Sequence, residues 1–68
     1  MEFTIQYFGT RDRLLSLEEI SANELVDALD RARTVIKAPQ PDGDQQAIGY
    51  VILDDRSRQV ARGYRRDA

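Results

Sequence analysis

The sequence predicts an α+β domain of order ββαββ, with one helix packed on a four-stranded antiparallel sheet. Three patterns carry that prediction. Apolar residues alternate with polar ones near the N-terminus, a helix-period stripe runs through the middle, and a β-branched and aromatic run near the C-terminus is followed by a polar turn and a returning run. The chain has 68 residues, 41% hydrophobic and 32% charged, which is the balance of a globular domain rather than a disordered tail. One domain, residues 1–68, is expected. A chain this short buries only about 60% of the surface its unfolded form exposes, so its stability should be modest.

Strand one is expected at about 2–8, where Phe3, Ile5 and Tyr7 alternate with Thr4 and Gln6. Gly9 to Asp12 supplies turn chemistry. Strand two follows at about 13–20. Paired regularly, its Leu15 and Leu17 meet Phe3, Ile5 and Tyr7, and Ser16 and Glu18 face the other way.

Ser21-Ala22-Asn23-Glu24 matches a capping box, in which the serine hydroxyl and the glutamate carboxylate each satisfy a helix-end amide. Ile20 is placed to staple onto Leu25. The helix is expected over about 22–37, with Leu25, Leu29, Ala32 and Ile36 in a central stripe flanked by Ala22, Val26, Ala28 and Val35. Asp27 with Arg31 and Asp30 with Arg33 have helical pair spacings on the solvated face. Pro39 disfavours helical geometry at Ala38 and ends the element. Residues 38–46, with two prolines, a glycine and no apolar anchor, read as a connecting loop.

The second hairpin is expected from strands at about 47–53 and 59–65. If both are regular, Ile48, Tyr50 and Ile52 share a face with Val60 and Tyr64, while Ala47, Gly49, Val51 and Leu53 share the other with Ala61 and Gly63. By consistency with the first hairpin, the larger set should lie beneath the helix. The opposite assignment rests the helix on the small residues and exposes Tyr50 and Tyr64. In the first assignment one helix leaves a second sheet face uncovered, made of Gly49, Val51, Leu53 and Ala61 beside Thr4, Gln6, Phe8 and Leu14.

Residue types narrow the chemistry. There is no histidine and no cysteine, which removes the usual base at neutral pH, the thiol nucleophile and the strongest transition-metal ligands. No enzyme activity and no cofactor are expected. Asp54 and Asp55 read as turn residues rather than a catalytic carboxylate pair. Asp42, Asp44 and Gln46 have the spacing of the first EF-hand ligands, yet Ala47 and Leu53 occupy the positions that need glycine and glutamate, so no metal site is expected. The first residues have neither the basic lead of a signal peptide nor the length of a membrane span, and a cytoplasmic location is expected.

Charge is uneven. Residues 1–44 carry nine acids against five bases, a net of −4, whereas residues 45–68 carry three acids against five arginines, a net of +2. Arg62, Tyr64 and Arg66 alternate, with Arg56 and Arg58 at the turn. Arginine with tyrosine is the composition of protein-binding hot spots; it also suits phosphates and bases, and charge on an edge strand guards against aggregation. The partner-binding residues are therefore expected to be Tyr50, Arg56, Arg58, Arg62, Tyr64 and Arg66. Val51 and Leu53 are the candidates for self-association as a homodimer.

The order strand–strand–capped helix–strand–strand, with Tyr50-Val51-Ile52-Leu53-Asp54-Asp55 leading into Gln59-Val60-Ala61-Arg62, resembles small bacterial and phage domains of unknown function along the whole chain. In size and layout it is also similar to phage-encoded anti-CRISPR proteins, which implies a compact inhibitor that occupies a host complex. The expected function is a non-enzymatic module that binds another protein. The alternative is a nucleic-acid-binding regulator using the same arginines, and a small carboxylate-dependent hydrolase is a third reading.

Overall fold

The alternation of Phe3, Ile5 and Tyr7 makes a strand because each of the three can be buried on one side while Thr4 and Gln6 stay half-exposed on the other. In the computed structural model, which describes residues 1–40 and 46–67, that strand is β1 (Glu2–Phe8). It is followed by β2 (Leu14–Ser21), α1 (Leu25–Lys37), β3 (Gly49–Leu53) and β4 (Gln59–Tyr64), with short 3₁₀ turns at Thr10–Asp12 and Arg65–Asp67. The four strands form one antiparallel sheet in the order β2-β1-β3-β4. This is the predicted ββαββ layout. Among the described residues no helix is long and apolar enough to cross a membrane.

The helix crosses one face of the sheet, over β1 and β3. Ala28, Ala32 and Ile36, one turn apart along its buried side, are fully covered. Two alanines in that row let the helix sit close to Phe3, Ile5, Tyr7, Tyr50 and Ile52, which with Ala47 complete the core. Leu25, Leu29 and Val35 flank the row half-buried, and Val26 is exposed.

The helix starts at Leu25, three residues later than expected, and the capping box does not form. Its N-cap is Glu24, with no side-chain cap. The ladder of β1 and β2 runs on to the pair Glu2 and Ser21, where Ser21 Oγ donates to Glu2 Oε1 at 2.6 Å and the Ala22 amide to the Met1 carbonyl at 2.9 Å. Sheet pairing thus takes the serine that local spacing assigned to the helix. At the other end Ala38 turns extended (φ −61°, ψ 149°), as the following proline requires. The Gln40 side chain then pairs with Ala47, accepting from its amide at 2.9 Å and donating to its carbonyl at 3.3 Å. Asp42 and Asp44, with the rest of residues 41–45, lie outside the described residues.

Both edge strands carry a bulge, and the two central strands are otherwise regular. In β2 the register passes from Tyr7 opposite Ser16 to Phe8 opposite Leu14, so Leu15 is the extra residue. In β4 it passes from Ile52 opposite Ala61 to Leu53 opposite Gln59, so Val60 is extra. One extra residue transfers everything beyond it to the opposite face. Each bulge follows its hairpin turn, and each overturns an expected face. Leu17 stands opposite Gln6 and is 53% exposed, while Glu18 stands opposite Ile5 on the helix side. Ala61 and Gly63 lie on the helix side of the sheet, opposite Ile52 and Tyr50, and Arg62 and Tyr64 point the other way.

Glu18 is served where it lands. It accepts from the Tyr7 hydroxyl at 2.8 Å and from Arg31 Nε and Nη2 at 3.0 and 3.2 Å, so Arg31 pairs across to β2 rather than with Asp27. The guanidinium, aided by the Tyr7 hydroxyl, holds the Glu18 carboxyl below its ordinary range. Burial, reinforced by the neighbouring carboxylate, pushes the Tyr7 phenol far above its own.

Candidate functional site

Two residues, Gly49 and Gly63, shape the sheet at the end nearest the C-terminus. A side chain at Gly63 would meet the Tyr50 ring at 2.6 and 2.8 Å on the helix side. Directly across the ladder, the Tyr64 ring lies on Gly49 on the open side, 3.3 Å from where a Cβ would sit. Each glycine thus carries the ring of the tyrosine opposite, one pair on each face of the same two strands. Aromatic cover of this kind offsets the lost packing of glycine in a strand.

On the open face, successive cross-strand rows read Leu14, Phe8, Gly49, Tyr64; then Leu17, Gln6, Val51, Arg62. The third row is Glu19, Thr4 and Leu53, continuing to Gln59 past the bulge. No described helix covers it. A cavity of about 240 Å³ opens here, lined by Phe8, Asp12, Gly49, Val51, Arg62 and Tyr64 among others. Its rim at Asp12 is held by two consecutive non-glycine residues in the left-handed region, Arg11 at φ 61° and Asp12 at φ 56°, a conformation that costs free energy wherever it persists.

Tyr64 is 36% exposed and two guanidiniums approach its ring, with the Arg62 carbon 5.6 Å and the Arg66 carbon 5.8 Å from the ring centroid. Arg62 Nη2 also donates to the Tyr64 hydroxyl. Neither arginine pairs with a carboxylate among the described residues.

The remaining expected contact residues lie elsewhere. Arg56 and Arg58 are at the β3–β4 turn, roughly 15–20 Å along the strand from Tyr64 at about 3.3 Å per residue, and Arg58 pairs with Asp54 at 2.9 Å. Tyr50 is 5% exposed in the core against Gly63, so it offers no surface. Val51 and Leu53 are half-buried on the open face, where they were expected. Phe8 and Leu14 lie on that face as expected, and Leu17 and Asp12 join it although their types and spacing did not point to it; a residue-level signal for Leu17 existed only in its excess over the apolar residues one strand face needs.

Asp54 has a turn-forming role. Its Oδ1 accepts from the amides of Arg56 and Arg58, both at 2.9 Å, and its Oδ2 from Arg58 Nε. The Arg58 amide leads in holding this carboxyl below the usual range, the reverse of what a general acid requires. No group of three or more potential metal-ligating side chains occurs among the described residues. Comparison with protein-family models, curated proteins and solved structures returned no match for this chain.

Proposed function

We propose that this chain is a non-enzymatic protein-binding module, an inhibitor or adaptor, that engages its partner through the open face of the sheet. The carrying observation is that face itself. Leu14 and Leu17 are about half exposed and Val51 and Leu53 partly so, beside a tyrosine with two arginines near its ring. Tyrosine and arginine next to an apolar patch is the composition in which binding energy concentrates. The bulges at Leu15 and Val60 interrupt both sheet edges next to their hairpin turns, which disfavours indiscriminate edge pairing there.

Affinity capture from the native host, followed by mass spectrometry, tests this reading. The wild-type chain should retain a protein that a folded Leu17→Asp, Arg62→Glu variant loses. Retention of the same proteins by both forms, or of none by either, would overturn it. Self-association through Val51 and Leu53 predicts a dimer by light scattering at high concentration, and a strict monomer contradicts it. The nucleic-acid alternative draws on Arg62 and Arg66, which pair with no carboxylate among the described residues, and it requires binding that falls steeply with added salt.

A further inference from the structure

Building on the protein-binding reading, we propose that the cavity between Phe8, Val51 and Tyr64 anchors an aromatic side chain carried on an acidic, extended segment of the partner protein, with Arg62 and Arg66 receiving its carboxylates. Size favours one side chain over a whole ligand, because about 240 Å³ falls below the roughly 300–1,000 Å³ of pockets that enclose small molecules. The walls suit a ring. Phe8 and Tyr64 present aromatic surface and Val51 is aliphatic, with the Tyr64 ring itself resting on Gly49.

Charge sets the flanking residues. The two guanidiniums beside Tyr64 have no carboxylate partner among the described residues, and a guanidinium fork matches a carboxylate in two parallel hydrogen bonds. Asp12 stands on the cavity rim, so the acidic residues of the partner belong on the β4 side. An extended segment fits because β4 is an edge strand and its bulge lies at Val60. Ala61 to Tyr64, next to the cavity, keep a regular outer edge on which a peptide can add main-chain hydrogen bonds. A phosphate backbone fits less well. Asp12 and Glu19 share this face, the whole chain carries −2, and phosphate affinity depends on unopposed positive charge.

An NMR titration of the full chain tests this, using four probes. The first is a capped nonapeptide with a central phenylalanine flanked by aspartate and glutamate. The others are its phenylalanine-to-alanine form, its all-lysine-flanked form, and single-stranded oligothymidylate. The acidic aromatic peptide should shift the amides of Gly49, Val51, Arg62 and Tyr64. Loss of either guanidinium in Arg62→Gln or Arg66→Gln should weaken it about tenfold, as should loss of the ring. Both arginines are exposed, and unchanged helix amides will show that the variants fold. Equal binding of the lysine peptide, tighter binding of oligothymidylate, the same shifts on raising protein concentration alone, or no shift with any probe would each overturn the proposal. If the peptides fail while capture from host extract still depends on Leu17 and Arg62, the anchor is wrong and the protein-binding reading survives. Loss of both removes both.

Discussion

Replacing Gly63 by alanine should destabilise the fold, although local propensity says the reverse. The Gly63 backbone lies outside the left-handed region, so alanine brings no backbone strain. In a strand it should gain about 0.5–1 kcal/mol by lowering the entropy of the unfolded chain. Against that, its Cβ would meet the Tyr50 ring at 2.6 and 2.8 Å, well inside contact distance. Tyr50 is only 5% exposed and opposes Tyr7 on β1, so the ring cannot swing aside without opening the core. Overpacking of that kind costs about 1–3 kcal/mol, and the net should be a loss of about 1–2 kcal/mol. In a domain of this size each kcal/mol moves the melting temperature by about 4–8 °C, and total stability is roughly 3–10 kcal/mol. Thermal and urea unfolding followed by circular dichroism will read the effect. The same substitution in a Tyr50→Leu background should turn neutral or stabilising, which isolates the contact as a coupling between the two positions. A Gly63→Ala protein as stable as wild type, or more so, would refute the argument. Gly49→Ala is the companion case, and should cost less, because its Cβ would stand 3.3 Å from both the Tyr64 ring and the Gly63 carbonyl, a contact that needs the neighbours to give by only a few tenths of an ångström.

Three further outcomes follow from the geometry. Tyr7 has its phenol pKa raised in the folded state, so its contribution is complete below the free phenol value of about 10 and is lost as pH climbs from there towards the folded value. Tyr7→Phe should cost about 1–2 kcal/mol at neutral pH and flatten this alkaline loss in denaturation experiments; parallel alkaline limbs in the two proteins would contradict it. Asp54 is lowered instead, so its contribution is present above the free carboxylate value of about 3.9 and disappears as pH falls through the folded value. Asp54→Asn should therefore lose less stability than wild type between neutral pH and pH ~2, and amide exchange should rise first at Arg56 and Arg58. Ile52→Ala, at a position with no exposure, should cost about 2–5 kcal/mol, whereas Leu17→Ala on the open face should stay within about 0.5 kcal/mol. A large cost at Leu17 would mean that the β2 register is wrong.

The candidate site was partly readable from composition. Arg62, Tyr64 and Arg66 stood out because arginines recur at short spacing around a tyrosine in the only basic part of the chain, and those three do meet. Arg56 and Arg58 were grouped with them by closeness in sequence, but strand geometry spreads a hairpin's tip and its open end far apart. Tyr50 was included because regular pairing left its face undecided between core and solvent. Leu17 was assigned to the core by the same regular pairing.

Periodicity, turn residues and Pro39 determined the elements, their order along the chain and the two hairpins, since these depend on interactions within a few residues; the pairing of β1 with β3, which joins the hairpins into one sheet, belongs to the tertiary structure. The apolar run of β1 and the helix stripe likewise determined which side of each would be buried. Only the tertiary structure decided the faces of β2 and β4. There a single unpaired residue, Leu15 in one and Val60 in the other, shifts the register by one, and the side-chain period of two turns that shift into a change of face. The capping box at Ser21 lost for a related reason: pairing with Glu2 extends the sheet through that residue, a long-range contact that local spacing does not encode. The same shifts bring Glu18 to Tyr7 and Arg31, and turn Leu17, Arg62 and Tyr64 outward onto the face proposed to bind.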